Sequence, residues 1–265
     1  MKTYLLIFTL SIILASCTTL KNTNQVQLNG KTVEFITKGT GEPTIVFETG
    51  MGPTIDTWNT VLDSLSKHTR VYAYNRPGYG KSTIKNPPKS VVEVAKQLRE
   101  NLSSQNIKPP YILVGHSAGG LYINMFARLY PDEVVGVVFI DASHPKQFEY
   151  FKNNHSLLYD ILVTATKKGD RTYEYDIVQT TLNSFNNAPE FPNIPVSVLT
   201  AGKKSSPLET QKLRDKWLQF QKELVNLSSE SKQIIVEESG HYIHKKSPDI
   251  TISEILRIIS INDRE

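Results

Sequence analysis

The short apolar run Tyr111-Ile-Leu-Val114 passes directly into Gly115-His116-Ser117-Ala118-Gly119, and from there into a small-residue, apolar stretch with helical spacing that reaches Tyr130. A strand that becomes a helix within five residues allows few architectures. The turn is sharp enough that side chains on its outer positions would collide across it, which is why glycine stands there, and the central serine is forced into a backbone region that most residues avoid. Its hydroxyl is then pushed clear of the fold. A glycine-rich surface turn has the same five letters. The flanking strand and helix are what mark this pentapeptide as an elbow that presents a nucleophile.

The N-terminal residues differ from everything after them. Lys2 supplies a positive start, residues 4–14 are almost entirely apolar, and Leu14-Ala15-Ser16-Cys17 closes the run. A permanent transmembrane helix needs about 20 apolar residues, so residues 1–16 are expected to be a cleaved export signal. The Leu-Ala-Ser-Cys ending resembles the lipobox of bacterial lipoproteins. That resemblance implies that Cys17 carries lipid, becomes the first residue of the exported chain and anchors it to the cell envelope. An ordinary cleaved signal with an incidental cysteine is the alternative. Cys17 is the single cysteine of the 265 residues, so the chain forms no internal disulfide even in an oxidising compartment. Residues 18–27 are polar and aperiodic and read as tether, which gives a lipidated tether over 17–30 and a folded domain over 31–265. The 30 Lys and Arg against 26 Asp and Glu are dispersed along the chain, which argues against a nucleic-acid partner without opposing an anionic membrane.

Beyond the tether, β-branched apolar runs alternate with amphipathic segments. Residues 33–37, 44–48, 71–74, 111–114, 134–140, 196–199 and 233–237 read as strands, most of them continuously apolar, as expected where helices cover both faces of a parallel sheet. Ser90-Val-Val-Glu93 has capping-box spacing, and Val91, Val94, Leu98 and Leu102 follow at helical intervals. Residues 119–130, 206–227 and 248–259 carry further helical patterns. The alternation predicts an α/β fold: a doubly wound, mostly parallel sheet in three αβα layers with its site at the carboxyl edge.

Four signatures, Phe47-Glu-Thr-Gly-Met-Gly-Pro53, Tyr74-Asn-Arg-Pro-Gly-Tyr-Gly-Lys-Ser82, Val114-Gly-His-Ser-Ala-Gly-Gly120 and Glu238-Ser-Gly-His-Tyr-Ile-His244, occur in that order. Together they make the chain resemble the α/β-hydrolase fold family from about residue 33 to residue 259. The resemblance implies a serine hydrolase that works through an acyl-serine intermediate without metal or cofactor.

A serine hydroxyl needs a base within hydrogen-bond reach, and that base needs a carboxylate to hold it. His241, directly after Gly240 and the last strand, occupies the loop where the family carries its base. His244 is its rival and otherwise packs or caps the terminal helix. His116 is expected to pack the elbow, and His68 and His155 read as surface residues. Family members usually carry the acid after the strand equivalent to residues 196–199. Here the loop is Thr200-Ala-Gly-Lys-Lys-Ser-Ser206, with no carboxylate before Glu209. Some members place it one strand earlier, and Val138-Phe-Ile-Asp141 has an aspartate there. Asp141 is therefore the expected acid; its alternative role is to cap the loop Ala142-Ser-His-Pro145, with Glu209 and Asp215 as more distant candidates. For the oxyanion the resemblance implies the amides of Ala118 and Met51, with Gly50 permitting close approach, or else a plain tight turn at Thr49-Gly50-Met51-Gly52. The Asn75-to-Gly80 turn reads as scaffold beneath that loop.

Residues 144–193 exceed what the sheet requires and are rich in aromatics, among them Phe148, Tyr150, Phe151, Tyr159 and Tyr173. An insertion here is where the family builds a small helical cap that selects substrate. The expected substrate is a small-molecule carboxylic ester. A small peptidase or amidase would be marked by a cap carboxylate such as Asp170, Glu174 or Glu190 gripping an amine. A binding protein that keeps the fold without the chemistry is the third reading.

Overall fold

The structure is a computed structural model. It describes residue 20 and residues 22–166, 171–204 and 209–262. The export signal and Cys17 lie outside the described residues. Eight strands form one sheet: β1 (Asn24–Leu28), β2 (Lys31–Lys38), β3 (Thr44–Glu48), β4 (Val71–Tyr74), β5 (Tyr111–His116), β6 (Val134–Ile140), β7 (Val196–Ala201) and β8 (Ser231–Val236). Their order is β1-β2-β4-β3-β5-β6-β7-β8. β1 and β2 run antiparallel to their neighbours, and the strands from β4 to β8 pair in parallel. This is the predicted doubly wound, mostly parallel α/β sheet.

One expectation is corrected at the N-terminus. Residues 24–28 are edge strand rather than tether, with Val26 opposite Val33 in β2. Their polar alternation, Asn-Gln-Val-Gln-Leu, is that of a strand with both faces largely wet, a pattern that aperiodic tether residues share.

The near-continuous apolar strands are explained by what covers them. Along β5, Tyr111 and Leu113 join a core with α2 (Val91–Ser104) and α3 (Gly119–Leu129), whereas Ile112 and Val114 join a second core with α1 (Asn59–Leu65) and α9 (Pro248–Asn262). In β6, Val137 and Phe139 face the first core and Val138 and Ile140 the second. Successive side chains on a strand point to opposite faces, so a sheet covered on both must be apolar at every position.

The capping box at α2 forms in a shifted version. Ser90 Oγ accepts from the Glu93 amide at 3.2 Å, and Glu93 Oε2 reaches one residue beyond the cap, to the Lys89 amide at 2.9 Å. Between β6 and β7 lie α4 (Gln147–Asn154), α5 (Ser156–Thr166) and α6 (Tyr173–Asn186), over the segment read as a cap. The helix expected over 206–227 is α7 (Gln211–Val225), begun by Thr210, whose Oγ accepts from the Leu213 amide at 3.3 Å. The short α8 (Ile243–Lys246) precedes α9.

Candidate active site

The carboxyl ends of β5 and β6 meet in a pair of strained residues. Ser117 has φ +53° and Asp141 φ +39°, both in the left-handed region that L-residues adopt only when the surroundings enforce it. The enforcement is visible. The Ser117 amide donates to Ile140 O at 3.2 Å, the Ser143 amide donates to Ser117 O at 2.9 Å, and the Asp141 amide donates to Leu199 O at 2.7 Å. Each elbow is thus clamped by the next strand. A Cβ on Gly119 would stand 2.3 Å from Glu48 O, and one on Gly115 would stand 2.7 Å from Gly119 O, so the turn closes only with glycine at both positions.

Asp141 is fully buried, and its side chain reaches across β7. Oδ2 lies 2.7 Å from His241 Nδ1, while Oδ1 accepts from Trp217 Nε1 at 2.9 Å and from the Ala201 amide at 3.1 Å. Among the described residues no amide of the loop Ala142-Ser-His-Pro145 donates to it. The loop after β7, which has no carboxylate of its own, instead supplies the amide that orients this one. Trp217 of α7 completes the acid's environment. Sequence reasoning missed it, because an indole on an amphipathic helix carries no local sign of its partner. The rival acids are committed elsewhere: Glu209 lies 3.8 Å from Arg214, and Asp215 accepts from Gln211 at 2.8 Å.

His241 is half-buried, and the Nδ1 contact leaves Nε2 as the nitrogen available to a neighbour. His241 and Ser117 line one cavity of about 880 Å³ under α4 and α5. The other two histidines of this corner are structural in placement. His116 Nε2 donates to the His241 carbonyl at 2.9 Å, and His244 Nε2 lies 2.8 Å from Thr57 Oγ1. The His116 ring lies tilted against His241, with centroids 4.6 Å apart, and edge-on to His244 at 4.7 Å.

Burial holds His116 well below the ordinary imidazole range and brings His244 down to about 3, with neighbouring positive groups adding to both effects. Both are therefore neutral in the fold. Below pH about 6.5 the unfolded chain binds a proton on each that the native chain refuses, so stability falls as the pH drops from there toward 3, by up to about 1.4 kcal/mol per pH unit for each histidine. Urea midpoints measured across this range are expected to decline steadily; a midpoint flat down to pH about 4.5 would refute the buried-neutral assignment.

The loop after β3 packs against the elbow. A Cβ on Gly50 would stand 3.0 Å from Ser117 Cβ. The loop is held from behind by Arg76, which is 1% exposed: Nη1 donates to Thr49 O at 2.8 Å and Nη2 to Gly50 O at 2.8 Å. Because a trans peptide is planar, turning the Gly50 carbonyl toward Arg76 turns the N–H of the same unit, that of Met51, the opposite way. Neither the Met51 nor the Ala118 amide has a protein acceptor among the described residues. Arg76 in turn pairs with Glu48 at 2.5 Å, and Glu48 accepts from Tyr74 Oη at 2.7 Å. Burial pushes the Glu48 carboxyl up, and Arg76 opposes that.

The network extends into the cap. Glu174 of α6 accepts from Tyr79 Oη at 2.5 Å and lies 3.4 Å from Arg76, while Tyr79 Oη accepts from the Gly52 amide at 2.8 Å. Glu174 therefore serves the loop and does not grip a substrate amine. Glu190 is exposed and does not line the Ser117 cavity, and Asp170 lies outside the described residues. Lysine offers one ammonium where arginine offers a fork, so Arg76→Lys is expected to release the Gly50 carbonyl and lower kcat about tenfold to a hundredfold, with KM little changed. Steady-state kinetics on the folded variant check this; an unchanged kcat would refute it.

Comparison with known proteins agrees with the topology. The family model described as alpha/beta hydrolase fold matches residues 43–255. The uncharacterized protein YqjL of Bacillus subtilis is 26% identical over 219 residues, which is 80% of this chain and 82% of that one. The pimeloyl-[acyl-carrier protein] methyl ester esterase of Yersinia enterocolitica is 30% identical over 105 residues, and the match spans 40% of this chain and 38% of that enzyme. The crystal structure of CarC, a serine hydrolase involved in carbazole degradation, superimposes with a TM-score of 0.64 at 16% identity, over 91% of this chain and 99% of that one.

Proposed function

The chain belongs to the α/β hydrolase fold family, and on that premise we propose that it is a serine hydrolase of the carboxylesterase type. The observation that carries the reading is the 2.7 Å contact of His241 Nδ1 with the buried Asp141, at the cavity onto which Ser117 opens. In this reading His241 Nε2 takes the Ser117 proton as Oγ attacks the ester carbonyl. The oxyanion is received by the Met51 and Ala118 amides, the latter at the start of α3 where the helix dipole adds to it. The imidazolium, held by Asp141, then gives its proton to the leaving alcohol, and water activated by the same nitrogen releases the acid from acyl-Ser117.

The cavity lining bears on the substrate. Phe151, Leu158, Leu162, Leu213 and Trp217 face it, and Glu209, paired with Arg214, is the carboxylate among the lining residues. Such a wall favours an apolar acyl or alkyl group over an amine, which supports an ester substrate rather than a peptide. Each methylene that enters the cavity is worth about 0.8 kcal/mol, or about fourfold in kcat/KM. A series of p-nitrophenyl esters from acetate to octanoate is therefore expected to rise in kcat/KM. A series that falls from acetate onward would remove the apolar-acyl reading, and a folded parent that neither turns over any ester nor reacts with a fluorophosphonate would leave only a binding protein on this fold.

A further inference from the structure

The described chain begins beside the active-site edge. The Leu20 amide donates to Asp56 Oδ1 at 2.6 Å, and Leu20 packs against the core that lies over α1 and α9. Asp56 belongs to the 3-10 turn Ile55–Trp58, which directly follows the loop that packs on Ser117. The next residue, Thr57, holds His244, three residues beyond His241. Cys17 precedes Leu20 by three positions in the sequence. The apolar run at residues 4–14 ends three positions before it. A membrane-seeking group upstream of Leu20, either that run or the lipid expected on Cys17, would join the fold at this corner.

That edge exposes the apolar side chains a lipid surface would cover. Leu157 is 74% exposed and Ile161 55% exposed, one helical turn apart on α5, and both line the mouth of the Ser117 cavity. Tyr242, adjacent to His241, is 43% exposed, with Lys245 Nζ 5.2 Å from its ring centre and Lys246 exposed beside it. Exposed apolar side chains at the cavity mouth, with an aromatic and lysines just beyond the cavity-lining His241, are residue types that favour a membrane interface. In water these side chains gain nothing from their exposure.

We propose that the mouth of the cavity at Leu157 and Ile161 of α5, together with the Tyr242–Lys246 corner that follows the cavity-lining His241, docks on a lipid bilayer, so that Ser117 opens toward molecules dissolved in that bilayer rather than toward bulk water. The docking does not depend on the chemistry proposed above; only the idea that an ester enters from the lipid rests on that reading.

Hydrogen exchange on the full chain, before and after addition of phosphatidylethanolamine and phosphatidylglycerol vesicles, tests the docking. Amides of α5 and of α8 are expected to exchange about tenfold more slowly on vesicles, while residues 106–108, at the opposite edge of the sheet, are unchanged. The Leu157→Asp, Ile161→Asp double variant should lose the protection at α5 even where it stays vesicle-bound through its N-terminus. Protection absent from α5 in the parent, or retained in the double variant, would overturn the proposal. Labelling by a fluorophosphonate is read in parallel: a chain that docks and does not label keeps the lipid face and loses the hydrolase, and one that labels and does not dock does the reverse.

Discussion

Ser117→Ala is expected to lower ester turnover about a millionfold, to the residual rate that oxyanion stabilisation and binding supply without a nucleophile. The side chain sits on a backbone strained to φ +53°, and among the described residues its hydroxyl makes no hydrogen bond, one to His241 included, so removing it leaves no buried polar partner behind. The substitution therefore separates chemistry from folding more cleanly than any other at this edge. Thermal unfolding should remain close to that of the parent, while fluorophosphonate labelling disappears. A variant that keeps more than about a hundredth of the parental kcat would show that the attacking group is not this serine, and the proposed mechanism would fall with it.

Asp141→Asn is expected to lower kcat about ten-thousandfold with little change in KM. The carboxylate accepts three hydrogen bonds, from His241, Trp217 and the Ala201 amide. An amide in its place keeps the volume and one acceptor oxygen. Satisfying Trp217 and Ala201 with that oxygen turns the NH₂ group toward His241, which must then present an unprotonated Nδ1. The proton moves to Nε2, and the nitrogen that should receive the serine proton is already occupied. Asp215→Asn, on the exposed face of α7, is the matched control and should leave kcat within about twofold, as surface substitutions usually do. If Asp141→Asn also stayed within about tenfold, the carboxylate would be a structural cap for the strand end, and the acid would have to be sought at Glu209, which shares the cavity with Ser117.

What could be read from the sequence was what is local. The elbow at Gly115-His116-Ser117-Ala118-Gly119 announces itself because strand, sharp turn and helix follow one another within a few residues, and the strands from β3 to β7 do so because burial on both faces leaves apolar side chains at consecutive positions. The capping serine at position 90 and the histidine after Gly240 are signals of the same short range. Edge strand β1 escaped because one wet strand is too weakly patterned to differ from a tether.

The sequence by itself thus determined the α/β class and the strand ends at which chemistry is possible. Only the tertiary structure decided which side chains meet there. Asp141 and His241 are 100 residues apart, Asp141 and Trp217 are 76 apart, and Arg76 and Glu174 are 98 apart. No periodicity or composition relates such pairs. Asp141 and His241 meet because the crossovers set β6, β7 and β8 side by side, so that the residues just past each strand end converge on one edge, where a carboxylate from one strand reaches over the next to the histidine beyond it.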